Sequence, residues 1–351
     1  MRATISTFDP LLGDRPAAEL AADDMLSLCR SFGTRAGAGY GMYSNEGFDT
    51  GYAPGLAQRI DTIVNYLRDH EDSGLDVKTL AARTNYFRET YAYGEEVSAP
   101  GIEGFYRHDG LIDAASRLFD DRPVVEPAIV YANILVPGQV LTVHTDVPEF
   151  RGASRKTTPQ WLIVVMHHSG LFDRWRMPIA TAITYFGDDE GGALRFYPDG
   201  HDGDPEHFAT AHDTGILLDT DSVFHAVELV TGPGEEHVGR LRPGMRLVAD
   251  ADTDSWTVVE PDSGARLVTY RDSDIRFSVS WKAYCFTDEA ERDAWRVHGD
   301  DLSLDTILDT LEADLRHRDV LDGERPAPED FGRLLIDTYI AFPPTYHPAT
   351  T

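Results

Sequence analysis

The hydrophobic period of the chain changes in its middle, and this change constrains the fold more than any other feature of the sequence. Between Pro123 and Phe286, short runs rich in β-branched and aromatic residues alternate with clusters of Gly, Pro and Asp. Many short strands separated by turn residues are typical of a β-sandwich or barrel. The predicted strands cover residues 128–136, 139–144, 160–167, 179–186, 192–197, 214–218, 223–230, 246–249, 256–259, 266–270 and 276–286.

The segments on both sides of this β-rich region show helical periodicity. Apolar residues at helical spacing predict helices over 17–32, 55–70, 76–91 and 102–119, and again over 304–316 and 328–339. Ser303 is a typical N-cap for the helix that follows it. We expect a helical N-terminal region at 1–122, a β core at 123–287 and C-terminal helices at 288–351, with the helices packed on the core as parts of one domain.

The composition excludes some classes of partner. The chain of 351 residues carries 60 Asp and Glu against 31 Lys and Arg, a formal net charge of −29. Nucleic acids and anionic membranes require clustered basic residues, so we expect neither as a partner. Two cysteines, Cys29 and Cys285, are too few for a disulfide framework or a Cys-based zinc site. Together with an N-terminus that has no apolar h-region, they favour a cytoplasmic location.

The motif His-x-Asp occurs four times, so the motif alone selects no site. A mononuclear iron site commonly uses two His and one carboxylate, which leaves coordination positions open. Residues i and i+2 of a strand point to the same side, so such a pair on one strand can bind one metal. His144 ends the predicted strand 139–144 and Asp146 lies two residues further on, so we predict that this pair binds a metal. The other pairs, at predicted helix ends or in a loop, are His70/Asp72, His298/Asp300 and His317/Asp319.

A third ligand is expected from another strand. His225 lies inside the apolar run 223–230, directly after the turn residues Asp219-Thr-Asp-Ser222. Taken by itself, a His in such a run is more often a core residue bonded to a backbone carbonyl. Combined with His144 and Asp146, it predicts a mononuclear site in which these three residues bind the metal and carry the catalysis.

The order of the motifs resembles that of the Fe(II)/2-oxoglutarate-dependent dioxygenases. The motifs are Tyr131-Ala-Asn-Ile-Leu-Val-Pro-Gly138, His144-Thr-Asp146, Gly191-Gly-Ala-Leu-Arg-Phe-Tyr-Pro198, Asp221-Ser-Val-Phe-His225 and Arg276-Phe-Ser278. The resemblance covers about residues 123–286. It implies a double-stranded β-helix (jelly-roll or cupin-like) core in one integrated catalytic domain. It also implies Fe(II) bound by His144, Asp146 and His225, with 2-oxoglutarate as cosubstrate and O2 as oxidant.

The same resemblance implies an arginine on a late strand that binds the distal carboxylate of 2-oxoglutarate. Arg276, with Ser278 beside it, is the predicted anchor, because a guanidinium holds a carboxylate with two directed hydrogen bonds. In the predicted strand 276–286, even-numbered polar residues and odd-numbered apolar residues alternate up to Lys282, so we expect a polar face in a cavity and an apolar face against helices. Asn133, one strand before the metal motif, is a further candidate for cosubstrate contact.

One departure from the family pattern concerns this anchor. Arg276 follows His225 at a much longer interval than is usual, which we interpret as an inserted hairpin at about 231–272. An arginine of this insertion is the alternative anchor for 2-oxoglutarate. The candidates are Arg240, Arg242, Arg246, Arg266 and Arg271.

The resemblance implies hydroxylation of an unactivated C–H bond in a small molecule, such as an amino acid or a natural-product intermediate, with release of succinate and CO2. The carboxylate of Asp146 argues against halogenation, whereas desaturation, epoxidation and cyclisation stay open. A cupin-like metalloenzyme that does not use 2-oxoglutarate and a non-catalytic jelly-roll binding protein are the alternatives.

The expected partner is a small-molecule substrate, presented by a carrier protein if it is tethered; the sequence does not determine the oligomeric state. Three basic residues, Arg151, Arg155 and Lys156, follow the metal motif on a polar loop. They could meet an anionic substrate or remain solvated.

Overall fold

The computed structural model describes residues 2–13, 20–36, 40–42, 51–69, 86–187, 191–241, 245–250, 252–260 and 262–343. Most of its regular structure is antiparallel β-sheet. The strands are β1 (Ser6–Phe8), β2 (Tyr40–Met42), β3 (Phe87–Tyr93), β4 (Glu96–Val97), β5 (Val124–Leu135), β6 (Leu141–His144), β7 (Glu149–Phe150), β8 (Arg176–Met177), β9 (Ile179–Tyr185), β10 (Leu194–Phe196), β11 (Glu206–Phe208), β12 (Thr214–Leu218), β13 (His225–Val227), β14 (Arg246–Asp250), β15 (Ser255–Val259), β16 (Arg266–Arg271) and β17 (Arg276–Phe286).

Helices flank the strands on both sides in the sequence. The described residues of the β region also form short 3-10 helices at Asp173–Trp175, Glu235–Arg240 and Asp272–Asp274. The α-helices are α1 (Ala22–Ala36), α2 (Ile60–Asp69), α3 (Glu103–Tyr106), α4 (Asp109–Ala115), α5 (Gln160–Ser169), α6 (Glu289–Arg296), α7 (Leu304–His317) and α8 (Pro328–Tyr339).

Two sheets face each other across a cavity that residues of both sheets line. The large sheet has the order β1-β12-β9-β17-β5-β3-β2-β14-β15-β16, and the small sheet has the order β11-β10-β13-β6. The chain passes from the large to the small sheet from β5 to β6, from β9 to β10 and from β12 to β13, and it returns to the large sheet each time. This alternation is a double-stranded β-helix, so the predicted mainly β fold with flanking helices is confirmed.

Strand β17 occupies the centre of the large sheet and separates cavity from core. It pairs antiparallel with β5 along one edge and with β9 along the other. Arg276, Ser278 and Ser280 line the cavity between the sheets. The alternate residues Phe277 and Trp281 belong to the apolar core on the opposite face. The alternation along 276–282 therefore predicted correctly which face is polar and lines the cavity.

The helices form the outer layers on each side. α3 and α4 cover the apolar face of β17, where Phe105 and Leu111 pack in one cluster with Trp281. The indole Nε1 of Trp281 also donates to the carbonyl of Tyr106 at 2.8 Å. α5, α7 and α8 form a second cluster with residues of the small sheet. Ser303 caps α7, as the sequence predicted, by accepting a hydrogen bond from the amide of Thr306.

Segment 160–167 was predicted to be a strand but forms helix α5. The run Trp161-Leu-Ile-Val-Val-Met166 is buried along its whole length, so its sequence has no polar position from which a period could be read. A short, continuous apolar run is compatible with either a buried strand or a buried helix. Here the left-handed Gly170 ends a helix, with its amide bonded to the carbonyl of His167.

The region 1–122 is not purely helical, contrary to the prediction. β1, β2 and β3 all belong to the large sheet, and β3 pairs directly with β5. The helix predicted over 76–91 is wrong at its end, where β3 begins at Phe87, and residues 76–85 lie outside the described residues. The aromatic and β-branched content of 86–93 was the strand signal that the helical interpretation overlooked.

The insertion between His225 and Arg276 is a meander of three strands rather than one hairpin. β14, β15 and β16 pair in sequence order, and β14 joins the large sheet through β2. The insertion therefore extends the far edge of the sheet and leaves β17 at its centre. Among the described residues, no helix has the length and apolar character needed to cross a membrane.

Candidate metal centre

The two predicted histidine ligands lie opposite each other on adjacent strands. β6 ends at His144, β13 begins at His225, and these two residues are register partners in the small sheet. Just beyond β6, the amide of Asp146 donates to the carbonyl of Thr220 at 2.8 Å. This bond holds the segment after β6 against the turn that precedes β13. The antiparallel register thus brings His144 and Asp146 together with His225, which lies 81 residues after His144 in the chain.

The three side chains present their ligand atoms to a common point. Oδ1 of Asp146 lies 3.9 Å from Nε2 of His144 and 3.7 Å from Nε2 of His225. All three ligand atoms lie within 4.8 Å of one another. Nitrogen and oxygen ligands bind first-row metal ions at about 2.0–2.2 Å, so one ion fits between atoms at this spacing. Within the described parts of the chain, no second group of His, Cys, Asp or Glu reaches this geometry.

Hydrogen bonds to the backbone fix the orientation of both imidazoles. Nδ1 of His144 lies 2.6 Å from the carbonyl of Thr142, and Nδ1 of His225 lies 2.9 Å from the carbonyl of Val223. A carbonyl can only accept, so Nδ1 carries the proton in each ring and Nε2 keeps its lone pair for a metal. Burial, with further contributions from His225 and Arg59, lowers the pKa of His144 to about 3. His144 is therefore neutral at physiological pH, as a ligand must be.

The two oxygens of Asp146 have different surroundings. Oδ2 accepts a hydrogen bond from Nζ of Lys282 at 2.6 Å and another from Oγ1 of Thr220 at 2.7 Å. Oδ1 is the oxygen that faces the two imidazoles. Burial by itself raises the pKa of Asp146, but Lys282 and His225 outweigh it and hold this pKa well below its ordinary value. An ionised carboxylate therefore offers one oxygen to the metal position.

Arg276 lies in the same cavity as the three ligands, with only 2% of its surface exposed. Its Nε donates to the carbonyl of Gly192 at 2.7 Å, Nη1 to Ser278 Oγ at 3.2 Å and Nη2 to the Tyr185 hydroxyl at 3.3 Å. All three acceptors are neutral, and no carboxylate of the described residues forms an ion pair with Arg276. Buried charges in proteins are normally paired, so this cavity is complementary to an anion.

Ser278 and Asn133 line the cavity between Arg276 and the metal ligands. Ser278 Oγ donates to the backbone carbonyl of Asn133 at 3.4 Å, and Asn133 Nδ2 donates to Ser280 Oγ at 2.8 Å. The side-chain oxygen of Asn133 is buried and has no hydrogen-bond partner among the described residues. It is thus an acceptor available to a group bound in this cavity, whose volume is about 60 Å³.

The competing sequence candidates lie elsewhere. His298 is exposed on a loop, Asp300 pairs with Arg151, and His317 ends α7. The pair His70/Asp72 lies outside the described residues. Of the alternative arginines, Arg242 also lies outside them, and none of the others lines the cavity. Those others are Arg240 in a 3-10 helix, Arg246 on β14, Arg266 on β16 and Arg271 at the end of β16, paired with Asp274.

Sequence reasoning missed two buried cations of this site. Lys282 was placed on the polar face of its strand, but its carboxylate partner was not identified. Arg59, which is 5% exposed, forms an ion pair with Asp61 at 2.8 Å and donates to the carbonyl of Thr145 at 2.9 Å, between two of the ligands. The available signal was the rarity of lysine, with three in the chain, one of them on the polar face of the strand that also carries Arg276. No comparable signal marked Arg59.

Comparison with known proteins gives matches only among solved structures. No family model matches this chain. No curated protein matches it either. A 2OG-Fe(II) oxygenase family oxidoreductase from Burkholderia pseudomallei is 11% identical, covers 57% of this chain and 66% of its own, and superposes with a TM-score of 0.32.

Two further structures match over a larger share of this chain. The non-heme alpha ketoglutarate dependent carbocyclase SnoK from nogalamycin biosynthesis is 11% identical over 81% of this chain and 96% of its own, with a TM-score of 0.35. HygX from Streptomyces hygroscopicus, solved with nickel, 2-oxoglutarate and hygromycin B bound, is 9% identical over 81% of this chain and 83% of its own, with a TM-score of 0.36. The fold of this chain is established by its own strand order.

Proposed function

We propose that this protein is an Fe(II)- and 2-oxoglutarate-dependent oxygenase that hydroxylates a C–H bond of a small organic substrate. In the proposed site His144, Asp146 and His225 bind Fe(II). Arg276 binds the distal carboxylate of 2-oxoglutarate, with Ser278 and Asn133 beside it. When bound, iron(II) supplies the redox chemistry that converts 2-oxoglutarate and O2 to succinate and CO2. One oxygen atom of O2 enters succinate, and the other is inserted into the substrate C–H bond.

The observation that carries this proposal is that the guanidinium of Arg276, which has no ionic partner among the described residues, lies in the same cavity as three converging metal ligands. A metal site without a cosubstrate has no need of Arg276, whose burial without an ionic partner is costly. A dicarboxylate supplies the missing charge, because one end pairs with the guanidinium while the other reaches the metal position. The alternative of a metalloenzyme without 2-oxoglutarate leaves this cation unexplained.

The residues of the chain have distinct roles in this proposal. His144 and His225 keep Nε2 free of a proton, because their Nδ1 atoms donate to backbone carbonyls. Thr220 and Lys282 hold Oδ2 of Asp146, so the carboxylate binds through Oδ1 alone and leaves coordination positions to cosubstrate and O2. The apolar residues around the cavity, such as Leu135, Ile183 and Leu194, exclude water from the reacting groups.

We propose further that the N-terminal region 1–122, the core 123–287 and the C-terminal helices 288–351 act as one catalytic domain. β3 supplies a strand next to β5 in the large sheet. α2 supplies the amide of Asn65, which donates to the carbonyl of Val143 next to the ligand His144, and α7 and α8 share an apolar cluster with Val143. Neither flanking region could be removed without exposing the layer that supports the ligands.

An anaerobic absorption titration tests the function. Fe(II) and then 2-oxoglutarate are added to the apoprotein, and a visible metal-to-ligand charge-transfer band is expected, because it requires 2-oxoglutarate chelated to Fe(II). His144→Ala should abolish the band. Arg276→Ala should retain Fe(II) binding but require a much higher concentration of 2-oxoglutarate. Arg174→Gln, which removes an exposed cation that does not line the cavity, serves as the matched control and should behave as wild type.

The same titration separates the alternatives. Iron binding without the band would favour a metalloenzyme that does not use 2-oxoglutarate. Absence of iron binding would favour a non-catalytic jelly-roll protein. Normal cosubstrate affinity in Arg276→Ala would refute the assigned anchor even if the band forms.

A further inference from the structure

We propose that Arg59 and His168 are positioning residues of the metal centre, which hold Thr145 and thereby set the distance between the two ligands on either side of it. The inference rests on the proposed function, since it concerns the metal site of that enzyme. Arg59 directly precedes helix α2 in the N-terminal region, and His168 lies near the end of α5. Both residues therefore act on the ligands through the backbone of another residue.

Thr145 connects the ligands His144 and Asp146, and both of its oxygen atoms have partners. It is only 1% exposed. Nη2 of Arg59 donates to its carbonyl at 2.9 Å, and Nε2 of His168 lies 3.1 Å from its Oγ1. Because these partners come from two different elements, a rotation of Thr145 about its backbone bonds would break at least one of the two hydrogen bonds. The same rotation would move the two ligands relative to each other, so bonds that resist it preserve the metal geometry.

The guanidinium of Arg59 is itself held in a fixed orientation. Asp61 accepts hydrogen bonds from Nε at 3.0 Å and from Nη2 at 2.8 Å, and both side chains are buried. A bidentate ion pair defines the plane of a guanidinium. It also compensates the charge of Arg59, which lines the metal cavity and would otherwise repel a bound cation. Asp61 thus allows a guanidinium to hold the Thr145 carbonyl close to the metal position.

Helix α2 also supports the strand that ends in the first ligand. Among the described residues, β6 is the last strand of the small sheet and pairs with β13 alone, so one of its edges has no neighbouring strand. On that edge, the amide of Asn65 donates to the carbonyl of Val143. Carbonyls two residues apart on a strand point to the same edge, so Asn65 and Arg59 bond to successive outward carbonyls. Side chains of this segment therefore take the place of a further strand.

The same helix fixes the imidazole ring of His144. Oγ1 of Thr142 donates to the carbonyl of Thr62 in α2 at 3.2 Å. The carbonyl of Thr142 in turn accepts the hydrogen bond from Nδ1 of His144 at 2.6 Å. A displacement of α2 would therefore change the orientation of this ring as well as the backbone that follows it.

The two elements that hold Thr145 are joined to each other. Gln58 directly precedes Arg59, and its side-chain and backbone carbonyls accept hydrogen bonds at 2.8 Å from the amides of Gln160 and Trp161, respectively, at the start of α5. The two helices therefore form one frame around β6 and the metal motif. Groups that orient metal ligands in this way typically contribute about tenfold to a hundredfold to metal affinity.

Metal binding by a variant that lacks the bond to the Thr145 carbonyl tests the proposal. Arg59→Met/Asp61→Leu removes both partners of the buried ion pair, so no charge is left buried and unpaired. The variant should bind Zn(II), measured by competition with a chromogenic chelator, about tenfold or more weakly than wild type. The absorption bands of bound Co(II) should also shift, because they report the coordination geometry, which a change in overall stability does not alter.

A milder set of variants removes only the bond to the Thr145 hydroxyl. His168→Phe keeps an aromatic ring and Thr145→Val keeps the side-chain shape. Each should weaken Zn(II) binding by about twofold to tenfold, the effect of one hydrogen bond, and shift the Co(II) bands. Their combination should add little to either substitution, because all three variants lose the same contact. Thr145→Ser keeps the hydroxyl and should retain an affinity close to that of wild type.

Val258→Ala controls for a loss of stability alone. Val258 is fully buried on β15 and does not line the metal cavity. Its truncation should lower the free energy of unfolding and leave the Zn(II) affinity and the Co(II) spectrum unchanged. An equal loss of affinity in this control would overturn the proposal. Wild-type affinity and spectrum in Arg59→Met/Asp61→Leu or in His168→Phe would refute the role of the residue that was replaced.

These measurements use no 2-oxoglutarate, so their outcome is separate from that of the proposed function. If wild type binds Zn(II) but never gives the charge-transfer band with Fe(II) and 2-oxoglutarate, the proposed function fails, and weaker Zn(II) binding by the variants still establishes the positioning residues. If wild type binds no Zn(II), the metal centre and its positioning residues are refuted together.

Discussion

Nζ of Lys282 lies 2.6 Å from Oδ2 of Asp146, so a buried ammonium holds one oxygen of a carboxylate whose other oxygen faces two imidazoles. Lys282 is only 4% exposed. In the apoprotein this ion pair compensates the charge of Asp146. When a divalent cation binds at Oδ1, the cation takes over part of that compensation, and Lys282 and the metal become competitors for the same negative charge.

Replacing Lys282 with Met should therefore destabilise the apoprotein more than the metal-loaded protein. Breaking a buried ion pair by removing one partner costs about 3–5 kcal/mol, and the cost here should lie at or below that range because Asp146 is partly exposed. With saturating Zn(II), the decrease in the free energy of unfolding caused by Lys282→Met should be clearly smaller. Urea unfolding of wild type and variant, each with chelator or with Zn(II), measures both differences.

The reciprocal consequence is that Lys282→Met should bind Zn(II) more tightly than wild type. Lys282→Arg, which keeps the charge, is the matched control and should retain an affinity closer to wild type. Weaker Zn(II) binding by Lys282→Met would show instead that Lys282 acts mainly by orienting the carboxylate, and that competition with the metal is the smaller effect.

Gly192 is required by the position of Arg276. Its carbonyl accepts the hydrogen bond from Arg276 Nε, and a Cβ added at Gly192 would lie 2.6 Å from Arg276 Cδ. The backbone of Gly192 has φ +63°, a conformation that L-residues seldom adopt. The glycine of the Gly191-Gly192 motif therefore allows β10 to approach the guanidinium side chain.

Gly192→Ala should raise the concentration of 2-oxoglutarate needed for the charge-transfer band, as Arg276→Ala does, while Fe(II) affinity changes little. The collision displaces the anchor and leaves the three ligands in place. Gly200→Ala is the matched control, because Gly200 has φ +89° but nothing within 4 Å of the added methyl group. An equal effect of both substitutions would attribute the loss to backbone strain and not to Arg276.

The fold could be predicted where the local pattern and the tertiary environment agree. Strand β17 shows the period of two that a strand with one polar and one apolar face requires, and both faces were predicted correctly. Helix α5 could not be predicted, because Trp161 to Met166 are apolar at every position and the length of the run fits a buried strand as well. β3 was missed because the prediction followed periodicity and not the aromatic content of the segment, and its pairing with β5, between residues 36 to 47 positions apart, leaves no period in the local sequence.

The residues of the metal site could likewise be predicted only where a local sequence pattern encodes their position. His144 and Asp146 could be chosen from four His-x-Asp pairs because only they follow a strand. The register of His144 against His225 then explains how a distant histidine joins them. Lys282 and Thr220 could not be assigned, because their contact with Asp146 depends on the packing of β17 against the turn at Asp219–Asp221, and no spacing in the sequence encodes that packing.

Asp221 carries a buried carboxyl group beside this network, and within the described part of the chain this group has no hydrogen-bond partner. It is fully buried, and neither of its carboxylate oxygens bonds to any described residue. Burial, together with the nearby Asp219, raises the pKa of Asp221 to about 7, although Lys282 and Arg176 act in the opposite direction. The folded protein therefore holds a proton on Asp221 over a pH range in which the unfolded chain, with an ordinary Asp pKa near 4, has lost it.

The free energy of unfolding should consequently fall as the pH rises from about 4 to about 7, by up to about 1.4 kcal/mol per pH unit from this group alone. The sign follows because the folded state binds more protons than the unfolded state in that window. Asp221→Asn removes the titration, so its stability relative to wild type should increase from pH 5 to pH 8. Urea unfolding of the two apoproteins at both pH values measures this difference, because contributions from other titrating groups are the same in both proteins and cancel.

Asp252→Asn controls for loss of an exposed carboxylate. Parallel pH profiles for wild type and Asp221→Asn would show that Asp221 is ionised in the folded protein and that Lys282 compensates its charge.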